Sequence, residues 1–130
     1  MIDLPRYSRA DGEVVIAEMC AQVPFSIVRM YMLRGPLGGE RGKHAHRLCS
    51  QLMICVYGAI EIVCDDGKDQ RSFMLDRHDR ALFVPPTLWN TVIFRQPEAA
   101  LAVLCDRIYE DADYVRYYSD FLAWRKAGGS

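Results

Sequence analysis

Gly38-Gly39-Glu40-Arg41-Gly42-Lys43-His44-Ala45-His46-Arg47-Leu48-Cys49-Ser50-Gln51, closed by Gly58, is the stretch on which the reading of this sequence turns. It holds two of the three histidines in the chain. On a strand, residues two apart point to the same face, so His44 and His46 project together. If that face is the inside of a β-barrel, the two imidazoles converge on one pocket. The other reading is a pair of exposed histidines in a polar loop. The flanking glycines and the apolar run Gln51 to Tyr57 frame the pair as strand, turn and strand, which favours the pocket.

Outward from this stretch, Val14 to Leu104 is a series of short apolar runs rich in β-branched and aromatic residues and punctuated by turn signals. The runs predict strands at Val14 to Met19, Ser26 to Leu33, Glu40 to Arg47, Gln51 to Tyr57, Ala59 to Cys64, Arg71 to Leu75, Ala81 to Val84, Thr91 to Phe94 and Ala99 to Leu104. This many short strands suit a jelly roll better than an open sheet. Gly58 and Asp65-Asp66-Gly67 mark tight reversals. Near the C-terminus the period changes: Tyr114, Val115, Tyr118, Phe121 and Leu122 recur at helical spacing after a candidate N-cap at Asp111. The expectation is an all-β domain spanning residues 1–130, its barrel at about 14–104, followed by one amphipathic helix at about 111–126.

Composition narrows the function. Sixteen Lys and Arg against seventeen Asp and Glu give a formal net charge of −1, so no basic field exists to hold nucleic acid or an anionic membrane. The apolar runs are far shorter than a membrane span, and the N-terminus lacks a signal-peptide core. A cytoplasmic protein is expected. Five cysteines form no C-x-x-C pair and read as free thiols, most of them buried. His78, beside Asp79 in a polar segment, reads as a turn residue.

Gly38, His44, His46 and Gly58 fall in register with the first cupin motif, G-x5-H-x-H-x3-4-E-x6-G, whose histidines and glutamate are metal ligands in that superfamily. Gln51 stands at the glutamate position, and Asn90 stands where the second motif, around Pro85 to Asn90, would supply a histidine. With two of the usual ligands replaced, no metal is expected, and the histidines are free for acid–base work. A narrower likeness runs through nearly the whole chain. Pro24 to Tyr31, Arg41-Gly42-Lys43-His44-Ala45-His46-Arg47, Gln51 to Gly58, Trp89 and Asp113-Tyr114-Val115-Arg116-Tyr117-Tyr118 resemble the sugar-nucleotide 3,4-ketoisomerases. These are cupin jelly-roll enzymes that convert dTDP-4-keto-6-deoxyglucose to its 3-keto isomer on the way to 3-amino-3,6-dideoxy sugars. Asp11-Gly12 and Asn90 depart from residues that several members carry.

The resemblance implies an isomerase that needs no cofactor, since removing the C3 proton gives an enediolate that is reprotonated at C4. His44 is implied as the base, with His46 orienting it or carrying protons between the oxygens, and Tyr31 as the donor to the developing oxyanion. Tyr31 as a plain wall residue is the alternative. Arg29 and Arg41 are expected at the substrate. Arg41 either pairs with a diphosphate or enediolate oxygen, or forms a surface salt bridge with Glu40. Gln51 either bonds a sugar hydroxyl or orients a histidine. Trp89 either stacks on sugar or base, or is core. The partners implied are a dTDP-linked 4-keto-6-deoxy sugar and a second copy of the chain, in a homodimer with exchanged N-terminal strands. The aromatic stripe of the helix is read as packing surface. Competing functions are a metal-dependent cupin oxygenase or isomerase, a 3,5-epimerase, and a non-catalytic sugar-nucleotide-binding cupin.

Overall fold

The computed structural model describes residues 1–128 and is made mostly of strands. In chain order these are β1 (Ile2–Asp3), β2 (Arg6–Arg9), β3 (Gly12–Val15), β4 (Arg29–Gly35), β5 (Glu40–His46), β6 (Gln51–Tyr57), β7 (Ile60–Asp65), β8 (Gln70–Leu75), β9 (Arg80–Val84), β10 (Trp89–Phe94), β11 (Ala99–Cys105) and β12 (Tyr114–Val115), followed by helix α1 (Tyr118–Lys126). Two five-stranded antiparallel sheets form, ordered β1-β9-β6-β11-β4 and β12-β5-β10-β7-β8, with β2 and β3 as a separate hairpin. The sheets are not hydrogen-bonded into a closed barrel, so the jelly roll is an open sandwich.

Alternation along the strands builds the layers. Met53, Leu101 and Val103 from the first sheet meet Ile62, Val92 and Phe94 from the second, all of them buried. The outer faces are covered too. Leu52, Ala81 and Leu104 on the first sheet lie under Leu4, Val15, Ala17, Val23, Phe25 and Ile27 of the N-terminal segment. Ala45 and Trp89 on the second sheet lie under Val115, Phe121 and Trp124. Gly58, at φ +78°, turns β6 into β7 where a Cβ would come within 3.3 Å of the Ala99 backbone.

Two expectations need correction. Val14 to Met19 is not one strand: β3 ends at Val15, and the chain then runs irregularly across the first sheet, where Ala17 and Val23 are used as cover. The helix does not begin after Asp111. Asp111–Asp113 is a 3-10 turn, and Tyr114 and Val115 form β12, paired with His46 and Ala45 of β5. Adjacent residues of a strand face opposite ways, so Val115 joins the apolar layer beneath α1 while Tyr114 turns inward. The helical spacing of Tyr114 with Tyr118 therefore spans two different elements.

Candidate active site

A cavity of about 500 Å³ opens between the sheets, lined by Arg29 and Tyr31 of β4, Arg41 and His44 of β5, Asn90 of β10 and Tyr114 of β12, among others. That volume suits a small-molecule site. Simple alternation would put Arg41 and His44 on opposite faces. They share one because β5 carries a bulge: Asn90 pairs with His44, but Thr91 pairs with Gly42 and Val92 with Arg41. The extra residue is absorbed at Gly42 and Lys43, which take φ values of +76° and +57°. Glycine is required at the first, since a Cβ there would lie 2.9 Å from Asn90 Oδ1.

His44 donates from Nδ1 to the Gly42 carbonyl at 3.1 Å, which leaves the lone pair on Nε2. Burial, and next the neighbouring His46, push its pKa down to about 4, so the ring is a neutral base across the physiological range. His46 stands behind it, buried, with ring centroids 4.9 Å apart and nearly perpendicular planes. Its Nδ1 donates to Asp113 Oδ2 at 2.7 Å, and burial outweighs that partner in lowering its pKa. Asp113 also accepts the Leu48 backbone N–H at 2.6 Å. Asp113 is thus the group that fixes His46, a role not assigned from the sequence. Its signal was the acidic residue opening the Asp113-to-Tyr118 motif.

Tyr31 accepts a hydrogen bond from Gln51 Nε2 at 3.0 Å, so its own O–H remains available to donate. Burial raises its pKa, and the phenol stays protonated. Gln51 is fully buried and also donates from Nε2 to Cys105 Sγ at 3.7 Å. It therefore lies behind Tyr31 and orients that residue, not a histidine. Arg29 reaches Cys105 Sγ with Nη2 at 3.7 Å, and its guanidinium lies 5.4 Å from the Tyr31 ring centre and 5.6 Å from that of Tyr109. Among the described residues Arg41 forms no ion pair; Glu40 pairs with Lys43 at 3.1 Å.

Of the sequence-predicted site residues, His46 and Gln51 stand behind the lining, and Trp89 lies on the far face of the sheet. It sits opposite Ala45 on the outer face of the second sheet, packed on Tyr118 and Phe121 at centroid distances of 5.3 and 5.7 Å. The aromatic surface inside the cavity comes from Tyr114, 4.9 Å from His44 and 4.4 Å from His46, with Tyr109 beside it. Arg116 stacks on Tyr114 at 4.2 Å while its Nη2 holds Asp111 at 2.9 Å.

The cupin metal does not fit this donor set. At the ligand-like positions Gln51 and Asn90 bring neutral amides in place of a carboxylate and an imidazole, and Arg29, Arg41 and Arg116 line the cavity. His46, Cys49 and Asp113 offer ligand atoms within 4.8 Å of one another, but both Asp113 oxygens are already used by His46 and Leu48. What the site offers is acid–base chemistry: the neutral imidazole of His44, the phenols of Tyr31, Tyr109 and Tyr114, and the guanidinium groups of Arg29, Arg41 and Arg116. Arg29 Nε, His46 Nε2, Gln51 Oε1 and Asn90 Nδ2 are buried without partners among the described residues, as donors and acceptors awaiting a polar ligand would be.

The family model described as FdtA, WxcM-like, C-terminal, matches residues 1–126. A TDP-4-oxo-6-deoxy-alpha-D-glucose-3,4-oxoisomerase from Aneurinibacillus thermoaerophilus is 30% identical over 122 residues, which is 93% of this chain and 88% of that protein. Among solved structures, a 3,4-ketoisomerase from Helicobacter canadensis matches with a TM-score of 0.92 at 28% identity, covering 96% of this chain and 95% of that one. The WlaRB TDP-quinovose 3,4-ketoisomerase from Campylobacter jejuni matches at 0.87 with 30% identity, covering 94% and 95% of the two chains. The chain belongs to the FdtA family of WxcM-like C-terminal domains.

Proposed function

We propose that this protein is a 3,4-ketoisomerase that moves the ketone of a TDP-linked 4-keto-6-deoxy sugar from C4 to C3. The observation that carries the reading is His44, a neutral imidazole whose Nδ1 is held by Gly42 and whose ring lines a cavity shared with Tyr31. His44 Nε2 takes the C3 proton, leaving an enediolate with its charge on O4. Tyr31 donates to that oxygen and recovers a proton from O3. His44 then returns its proton to C4, so the product carries a C3 ketone and a C4 hydroxyl with no net change in redox state. Arg29 and Arg41 balance the enediolate and diphosphate charge. Tyr109 and Tyr114 supply the flat contact for sugar or base that the sequence assigned to Trp89.

The protein is incubated with TDP-4-keto-6-deoxyglucose and the product identified by NMR. A C3 ketone supports the reading. Inversion at C5 would make the protein a 3,5-epimerase, and unchanged substrate would make it a binding module. Activity abolished by chelation and restored by a stoichiometric metal would replace the acid–base route.

The working unit proposed is a homodimer with exchanged N-terminal strands. The β2–β3 hairpin pairs with neither sheet, Tyr7 and Val14 on it are 65% and 54% exposed, and an isolated hairpin is marginal in water. A second copy of the chain is its natural cover. A reducing compartment, the cytoplasm, is supported by five unpaired cysteines. No helix among the described residues is long and apolar enough to cross a membrane.

A further inference from the structure

The acid–base scheme uses none of the buried cysteines, and one of them, Cys105, stands among the site residues. Cys105, at the end of β11, sits opposite Arg29 of β4 on one side and Gln51 of β6 on the other. We propose that Cys105 is a positioning residue for this isomerisation: its sulfur is the shared acceptor that holds the Arg29 guanidinium and the Gln51 carboxamide, and through Gln51 it sets the direction in which Tyr31 donates its proton. The inference rests on the ketoisomerase reading of the same cavity.

Both donors point at one atom, Arg29 Nη2 and Gln51 Nε2 each lying 3.7 Å from Cys105 Sγ. The same Gln51 nitrogen spends its other proton on the Tyr31 oxygen at 3.0 Å. An amide nitrogen has two protons and no lone pair to offer, so this arrangement has one polarity. Gln51 donates both ways, and Tyr31 is left to donate into the cavity. Without an acceptor at position 105, one amide proton would be buried unpaired, and the carboxamide would gain by rotating away from Tyr31. Among the described residues no carboxylate pairs with Arg29; against burial, Tyr114 and then the Cys105 sulfur favour its charge.

The groups facing Cys105 are Arg29 and Tyr31 from β4, Gln51 from β6, and Cys49 from the segment between β5 and β6. Hydrogen bonding from Cys49 is the largest influence lowering the Cys105 thiol, and Gln51 and Arg29 add to it against burial, while Cys49 is raised in turn. The direction is toward easier ionisation, opposite to that of the buried Cys55 and Cys64, which burial raises.

The test is a cycle of Cys105→Val and Tyr31→Phe in the full chain, read as kcat for TDP-4-keto-6-deoxyglucose with TDP affinity measured alongside. Cys105→Val lowers kcat about tenfold, and the double variant is no slower than Tyr31→Phe alone, because both changes remove the same oriented proton. Cys105→Ser keeps an acceptor and stays within about threefold of the unaltered protein. Without substrate, ultraviolet absorption of the thiolate titrates below the ordinary cysteine range and disappears in Cys105→Ser, which also serves if Cys105→Val does not fold. Wild-type kcat in Cys105→Val, losses that multiply in the double variant, or an ordinary thiol titration would overturn the proposal. An unaltered protein that turns over no substrate while keeping the low thiol titration would instead overturn the ketoisomerase reading.

Discussion

His44 is neutral because the fold buries it beside a second imidazole, and this has consequences at two levels. In catalysis, the free-enzyme base stays unprotonated well below the usual histidine range, so the acidic limb of kcat/KM falls near pH 4 and not near 6.5. The folded-state pKa lies below the unfolded one, so the unfolded chain binds more protons between those values and stability is lost as pH falls through that window. For His44 the window runs from 6.5 down to about 4, a loss on the order of 3 kcal/mol, to which His46 adds in the same direction. Urea midpoints measured across this range should show the slope, and His44→Asn should flatten it. The same variant should lower kcat by at least about 10²-fold and leave TDP affinity, measured by calorimetry, within about threefold. Near-normal turnover would remove His44 from the chemistry.

At the scale of elements, the site depends on two small irregularities. The bulge in β5 rotates Arg41 onto the face of His44, and the short strand β12 with the 3-10 turn before it brings Tyr114 and Asp113 up to the histidines. Removing Asp113 with alanine strands the buried His46 Nδ1 and Leu48 N–H groups, for an expected loss of roughly 2–4 kcal/mol in urea unfolding. Asp113→Asn keeps an acceptor for Leu48 but no longer dictates the His46 tautomer. It should cost less stability, with kcat down about tenfold. On the outer face, Trp89 works for the helix. Trp89→Phe should lower the melting temperature by the equivalent of about 1 kcal/mol and leave KM within about twofold. A large rise in KM would return Trp89 to the substrate.

For the whole molecule, the open sandwich leaves β4 at the edge of the first sheet, with Met30 and Met32 on its outer side 58% and 60% exposed. On the other side of that sheet, by β9, the β2–β3 hairpin is tied to the body by Val15 in the apolar layer and by polar contacts, Glu13 to His78 at 2.6 Å and Arg6 to Asp79 at 3.6 Å. An apolar edge on one side of the sheet and an exposed arm on the other can meet across a two-fold axis. Light scattering at micromolar concentration should report twice the 14.9 kDa chain mass, and removing residues 1–16 should shift the protein toward monomer. A dimer that survives the truncation would rule out strand exchange as its main cause.

Local pattern alone determined much of this. The paired histidines, the turn glycines and the alternating runs are local, with periods of one strand, so β5 to β11 were legible within a residue or two, and Gln51 to Tyr57 was read with its observed bounds. The roles proposed for His44 and Tyr31 are implied by the resemblance of motifs, and both side chains line the cavity. The rest depended on contacts between distant residues. Whether Trp89 faced in or out depended on which sheet face α1 would cover. Whether Tyr114 began a helix or lined a cavity depended on the backbone pairing it found at His46. Asp113 became a partner of His46 across a separation of 67 residues, and no local period encodes that. Gln51 was legible as an important residue, but its direction was not, because an amide points wherever its buried neighbours satisfy it. Here those neighbours are Tyr31 and Cys105, which only the assembled sheet sets beside it.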